Sequence, residues 1–252
     1  MVVELISVGT ELLLGNIVNT NAQFLAEKCA SLGLSMYHQV MVGDNRERLA
    51  EDINTALQRA DIIILTGGLG PTEDDITKEV CSEVMGFKLV EDPHTRERIE
   101  TYFKDGIYPD ITENNWKQAL IPEGCKVLDN HNGTAPGLIL EKAGKAAILL
   151  PGPFNELKPL FMDSVSPYLQ ELQPEVIRSQ MIKICGHGES QVEDQIKDLI
   201  AAQTNPTIAP YAKTAEVHLR VTARAVDDET AKSLIKPVVK EIKNRFGDDI
   251  YT

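Results

Sequence analysis

The stretch Ile62-Ile-Ile-Leu-Thr-Gly-Gly-Leu-Gly-Pro-Thr-Glu-Asp-Asp-Ile-Thr77 decides the fold. Its four opening apolar residues read as a strand buried on both faces, stopped abruptly by Thr66-Gly67-Gly68. Residues from about Asp75 to Met85 read as a helix, with Gly86 as its stop. A buried strand, a glycine-rich turn and a helix in that order mark a parallel-sheet crossover. Upstream, Val2 to Val8 is a second apolar run, broken at Gly9-Thr10. Between the runs, Asn21 to Leu32 and Arg46 to Ala60 repeat apolar residues at helical spacing, and Met36 to Val42 reads as a strand. Strand, helix, strand, helix, strand is the pattern of an α/β fold with a doubly wound, mostly parallel sheet, in which ligands bind beyond the carboxyl ends of the strands.

Further on, helices are predicted over Pro93 to Lys104, Asn114 to Leu120 and Asn155 to Leu172. Gly137 to Glu141 and Lys145 to Leu150 form a hairpin about a Lys142-Ala143-Gly144 turn. Gln173-Pro174 is the natural boundary between a domain over 1–172 and a smaller α+β domain over 173–252. In the second domain Val176 to Cys185 and Ala215 to Ala225 are strands. Ser190-Gln-Val-Glu193 reads as a capping box opening a helix to about Ala202, and Asp228 to Phe246 is a second helix.

Composition narrows the function. The 252 residues carry 38 Asp plus Glu against 25 Lys plus Arg, a net charge of −13, so the chain's overall field repels nucleic acid and anionic membrane. Residues 1–172 hold 26 acidic and 14 basic side chains, so the acid belongs to the first domain. No apolar run approaches the roughly 20 residues of a membrane span, and Cys29, Cys81, Cys125 and Cys185 form no paired motif. A cytoplasmic location is expected.

Three loops at predicted strand ends carry the candidate chemistry. In the first, Thr66, Gly67, Gly68, Gly70 and Thr72 can bring backbone amides close to phosphate oxygens ahead of a helix N-terminus. Asp74 and Asp75 in that loop either cap the helix or, because two carboxylates repel an anion, hold a divalent cation that bridges to it. The second is Gly9-Thr10-Glu11 with Asn16, Asn19, Thr20 and Asn21. Glu11 is a candidate for a metal or a ribose hydroxyl, and the amides offer neutral hydrogen bonds or simply a cap. In the third, Val42-Gly-Asp-Asn45, Asp44 is a ligand or a cap. Asn132-Gly-Thr-Ala-Pro-Gly137, with Thr134, and Leu150-Pro-Gly-Pro-Phe-Asn-Glu156, with Pro153, fit turns as well as binding loops. Walker A, Rossmann and nucleophile-elbow patterns are absent, which leaves metal-assisted attack by water as the simplest chemistry.

Ser-Val-Gly-Thr-Glu-Leu-Leu-Leu-Gly15, the Gly67 loop, Asn132-Gly-Thr-Ala-Pro-Gly and Leu150-Pro-Gly-Pro together resemble the CinA (competence/damage-inducible protein A) family. Gly186-His-Gly-Glu-Ser190 and Ile208-Ala-Pro-Tyr-Ala-Lys213 resemble that family's KH-like domain. The resemblance implies a molybdopterin-binding type of fold for the first domain. It also implies hydrolysis of ADP-ribose to AMP and ribose 5-phosphate, dependent on a divalent metal (Mg, Mn or Co). Asp75 and Asp44 then match the catalytic acids, with Asp74 and Glu11 as further metal ligands, and Gly9, Thr10, Asn16, Asn19, Thr134 and Pro153 joining the glycine loop around a small phosphorylated nucleotide. Phe154 stands where the family commonly has a second proline. A third family domain, a nicotinamide mononucleotide deamidase, would follow this chain, so no deamidation is expected of it. The KH-like unit lacks Gly-x-x-Gly and is expected to be a spacer or homodimer contact rather than an RNA clamp. A pterin- or nucleotide-binding module without turnover, and a dimerisation scaffold, are the alternatives.

Overall fold

Uninterrupted apolar residues can be satisfied only where both faces of a strand are covered, and β3 (Ile62–Thr66) shows it: all five residues are buried. It lies inside a six-stranded sheet. The computed structural model describes residues 1–104, 110–173 and 175–251. The chain divides into two compact units, one comprising Met1–Ala30 with Leu34–Leu172, the other Ser31–Gly33 with the residues from Gln173 on. Pro174, in the expected boundary, lies outside the described residues.

The first unit begins with β1 (Val2–Val8), a short α1 (Thr10–Leu13), α2 (Thr20–Ser31), β2 (Ser35–Val42) and α3 (Arg46–Arg59), then β3 and α4 (Thr77–Met85). β4 (Leu89–Glu91) and β5 (Leu120–Pro122) make a separate antiparallel pair flanking α5 (Pro93–Lys104). β6 (Lys126–Leu128), β7 (Gly137–Lys142) and β8 (Lys145–Leu150) complete the main sheet in the order β2-β1-β3-β8-β7-β6. β2, β1, β3 and β8 are parallel, while β7 and β6 are antiparallel additions at one edge. The β7–β8 turn places Ala143 at φ 51° and Gly144 at φ 76°, both left-handed, which is the twist a two-residue hairpin needs.

Alternation along β3 sends Ile63 and Leu65 into a core with Leu49 and Ile53 of α3 and Val80 and Cys81 of α4. On α2, Phe24 meets Phe161 edge to face at 5.7 Å. The predicted helix over Asn155 to Leu172 is a continuous run with a π turn at Phe161–Val165 between α6 (Phe154–Leu160) and α7 (Ser166–Leu172). The predicted helix at Asn114 is a 3-10 turn over Glu113–Ala119. The helix expected from Asp75 begins two residues later, because the Asp75 carboxylate turns back into its own loop instead of capping. Glu4, buried in β1, is satisfied by both arms of Arg59, at 2.6 and 2.8 Å.

The second unit is a three-stranded antiparallel sheet, β10-β11-β9, from β9 (Val176–Cys185), β10 (Thr207–Lys213) and β11 (Glu216–Ala225), with α8 (Glu189–Gln195), α9 (Lys197–Ala202) and α10 (Asp228–Phe246). Val217, Leu219, Val221 and Ala223 alternate inward from β11 to meet Ala231, Ile235, Val239, Ile242 and Phe246 along one stripe of α10. The expected Ser190 capping box does not form. The N-cap of α8 is Gly188, whose amide donates to Gln191 Oε1 at 2.9 Å, and the helix breaks at Ile196. β10 is the strand the sequence reading omits, since Pro210 argues against a strand, and it occupies a sheet edge where a missing donor costs little. Among the described residues no helix is long and apolar enough to cross a membrane.

Candidate active site at the strand ends

Pairing brings four strand ends level: Val8 lies beside Val42, Ser7 beside Thr66, and Thr66 beside Leu150. The chain leaves β1 to one side for β2 and returns across it to β3, so this edge is the topological switch point of the sheet. The loops leaving β1, β2, β3 and β8, together with Gly133 to Ala135, enclose a cavity of about 770 Å³.

The β3 loop is shaped by what would clash. Gly67 takes φ 90° and lies so close to β1 that a Cβ there would sit 2.2 Å from the Val8 carbonyl oxygen. At Gly70 a Cβ would fall 2.4 Å from Asp75 Oδ2, so the absent side chain is the space the carboxylate occupies. The Gly67 amide donates to Leu150 O at 3.0 Å and the Thr77 amide to Gly68 O at 3.0 Å. Gly67 therefore shapes the cradle and offers its own N–H to no ligand, a correction to the expectation that all three glycines would.

Asp75 Oδ2 accepts from the Thr72 amide at 2.9 Å and from the Thr72 hydroxyl; the same hydroxyl reaches Asp74 Oδ1. One hydroxyl has one proton, so it satisfies only one of the two carboxylates at a time. The Thr72 bond, followed by the local backbone amide, holds the Asp74 carboxyl below the ordinary range and hence ionised. Neither acid caps α4.

The loop is held from outside by two side chains to which the sequence reading gives no role. Lys117 Nζ donates to Thr72 O at 2.7 Å and to Asp75 O, while Gln118 Nε2 donates to Leu69 O at 3.1 Å. Behind them, buried Lys78 donates to Lys117 O at 2.6 Å, and burial pulls its amine down to about 8. Gln118 Oε1 is buried and has no partner among the described residues. Gln118 contributes to the cavity wall, with that oxygen turned away from solvent.

Asp44 Oδ2 accepts from the Thr10 amide at 2.9 Å and hydroxyl at 2.8 Å, while Asn45 caps α3 by accepting from Arg48 N. Asp44 is thus no cap for α3. The Glu11 carboxylate folds against Gly9, where a Cβ would lie 2.6 Å from Glu11 Oε1. Asn19 is the cap of α2: its Oδ1 accepts from Ala22 N at 3.0 Å and its Nδ2 donates to Ser7 Oγ at 2.9 Å. Asn21 donates to Gly152 O at 2.7 Å.

The cavity is lined by Gly9, Glu11, Asn19, Asp44, Thr66, Gly67, Gly68, Gly70, Thr72, Asp74, Asp75, Thr134 and Pro153, while Thr10 and Asn16 lie outside that lining. Thr10 is engaged by Asp44, and Asn16 donates its amide to Glu11 O. Tyr102, Gln118, Phe154 and Glu156 also line it.

Among the described residues no three metal-ligating side chains converge as a closed cage. Asp74 and Asp75 share the Thr72 hydroxyl, so this loop brings two carboxylates together and no third.

Residues 4–171 match the family described as "Probable molybdopterin binding domain", and residues 179–252 match "Damage-inducible protein CinA KH domain". A competence-damage inducible protein from Clostridium beijerinckii is 53% identical over 251 residues, covering 100% of this chain and 61% of the relative. A CinA-like protein from Dictyoglomus turgidum is 52% identical over 249 residues, covering 98% of this chain and 60% of the relative. The chain thus spans about three-fifths of the length of these relatives. The solved structure of the protein CinA from Thermoplasma acidophilum, described as of unknown function, superposes with a TM-score of 0.62 at 33% identity, over 66% of this chain and 96% of that one. With the switch-point cavity, the glycine loop and both domain matches in hand, the chain belongs to the CinA family.

Proposed function

We propose that the first unit hydrolyses the pyrophosphate bond of ADP-ribose to AMP and ribose 5-phosphate with the help of a divalent cation. The observation that carries the reading is the charge of the cavity. Its described lining holds five carboxylates, Glu11, Asp44, Asp74, Asp75 and Glu156, and no Lys, Arg or His. Its glycine loop nevertheless leaves the amides of Gly68, Leu69 and Gly70 without backbone partners among the described residues. Amides suited to phosphate beside unneutralised carboxylates fit a doubly anionic ligand that arrives with a cation.

Asp75 and Asp74 would hold Mg²⁺, Mn²⁺ or Co²⁺, with Asp44 across the cavity orienting the α1 turn. When bound, such an ion neutralises pyrophosphate charge and polarises the phosphorus under attack. The Gly68 to Gly70 amides bind phosphate oxygens, and Lys117 keeps the loop closed over Asp75. Thr134 and Asn19 line the opposite wall. A homodimer joined through the second unit is part of the same proposal.

The test is purified protein with ADP-ribose, FAD, NAD and dinucleoside polyphosphates, with each metal and with chelator. Metal-dependent release of AMP from ADP-ribose, reduced at least about 100-fold in Asp75→Asn, is expected, the size following from loss of a charge aimed at the reacting centre. Intact substrates under every metal, with tight metal-independent binding, would move the assignment to a binding module.

A further inference from the structure

Glu156 has no assigned role, and its surroundings are built to hold it. It stands in the first turn of α6, where a glutamate ordinarily reaches back to the N-cap amide. Here the N-cap is Pro153, which has no N–H, so that bond is unavailable. Instead Glu156 Oε2 accepts from Asn130 Nδ2 at 2.6 Å. Asn130 is 1% exposed; its Nδ2 also donates to Ala135 O at 2.9 Å, and its Oδ1 accepts from the Asn132 amide at 3.0 Å. Reversing that amide would set oxygen against two acceptors, so the network fixes which end faces Glu156. Gly133 packs against the carboxylate, and a Cβ there would lie 2.2 Å from Glu156 Oε2. One oxygen is thus anchored. Among the described residues the other has no partner, and the residue lines the same cavity as Asp75 and Gly70.

We infer that Glu156 is the general base of this site, accepting the proton of the water that attacks the pyrophosphate; this rests on the hydrolytic reading above. In the step, the water oxygen bonds to one phosphorus, the bond from that phosphorus to the bridging oxygen breaks, and its electron pair leaves on the departing phosphate. The water proton passes to the free oxygen of Glu156. Burial raises the carboxyl's proton affinity, partly offset by the Asn130 bond, the direction a proton acceptor needs. Asp74, whose affinity is lowered, is the poorer acceptor. The charged groups around Glu156 are Glu11, Asp44, Asp74 and Asp75 across the main cavity. Behind it, in an adjoining cavity of about 400 Å³, are Lys126, Asp129, His131, Asp163 and Glu171. The carboxylates favour its protonated form and Lys126 opposes them.

The experiment compares the whole chain with Glu156→Gln and Glu156→Asp, using ADP-ribose and Mn²⁺ over pH 4.5 to 9. Glu156→Gln keeps an acceptor for Asn130 and should keep the fold. Its kcat is expected to fall at least about 100-fold with KM within about threefold, and the acid limb of the wild-type profile should vanish. Glu156→Asp should retain that limb at reduced rate, and it serves as the comparison if the glutamine variant does not fold. A glutamine variant with more than about a third of wild-type kcat, or an unchanged acid limb, overturns the role of Glu156 and leaves hydrolysis standing. A wild type inert toward every pyrophosphate overturns both.

Discussion

Gly70→Ala separates the site from the fold. Gly70 is not in the left-handed region, so alanine meets no backbone strain, and the atoms it would crowd are those of the Asp75 carboxylate, with Oδ2 at 2.4 Å. A methyl group needs well over 3 Å from an oxygen, so the carboxylate must retreat by roughly 0.5–1 Å. Asp75 ends a flexible side chain near solvent, and water can replace what the Thr72 bonds lose. The stability cost is then at most about 1 kcal/mol, or roughly 2–4 °C in Tm for a domain of this size. Displacement of a ligand group by about 1 Å, in contrast, costs on the order of 100-fold in rate. Thermal unfolding and metal-dependent ADP-ribose hydrolysis, measured on one preparation, give both quantities. Gly188→Ala is the control, because its Cβ meets nothing closer than 3.7 Å and the residue belongs to the second unit and is not on the cavity lining. A Gly70→Ala protein with full activity would refute the assignment of Asp75. One that loses activity only in step with melting would show that the glycine serves the fold.

Gly67→Ala should behave in the opposite way. At φ 90°, with backbone rather than side chain at 2.2 Å, the neighbour cannot yield cheaply, and a loss of about 3 kcal/mol in denaturant unfolding is expected. Lys78 gives a stability prediction. Burial lowers its folded pKa to about 8 from the ordinary 10.5 of a lysine, so between these pH values the unfolded chain binds the extra proton and stability rises with pH. Relative to Lys78→Met, the wild type should gain up to about 3 kcal/mol across that window, and a flat difference between the two denaturation curves would count against a buried amine.

The strand-loop-helix reading of residues 62–77 held because each of its signals is local: five buried residues in a row, then glycines, then helical spacing. Sequence also pointed to Glu11, Asp44, Asp74 and Asp75 in the strand-end loops, since loops after parallel strands must meet at one edge. It left open whether these acids cap a helix or face a ligand, because capping depends on where a carboxylate turns. Asp75 turns back to Thr72, and Asn45 rather than Asp44 caps α3. Asn19 carries both functions that were open, lining the cavity while capping α2. Lys117, Gln118 and Glu156 were illegible for another reason. Lys117 and Gln118 reach the site across 42 or more residues of chain, from a 3-10 turn with no glycine or acid pair to mark it, and Glu156 ends a Pro-Gly-Pro loop that reads equally as an ordinary turn. The one available signal was weak: a glutamate three residues after a proline N-cap cannot make the usual box and must find another partner.

Under the proposed function, the distribution of charge would decide which ligands the cavity admits. A net charge of −13 leaves the surface unfavourable to polyanions, and the cavity is more acidic still, with no cationic side chain on its described lining. Lys117, the cation nearest the loop, directs its ammonium at the carbonyls of Thr72 and Asp75 and so stabilises the loop rather than a ligand. An anion alone therefore meets repulsion at every approach except the free amides of Gly68 to Gly70, whereas the same anion carrying a divalent ion brings the charge that Asp74 and Asp75 lack. Under the proposed function, selectivity for metal-complexed diphosphates over bare phosphates or nucleic acid would need no dedicated recognition element. It follows from five carboxylates being left without neutralising partners around one cavity, and reversing it would require placing a cation on that lining.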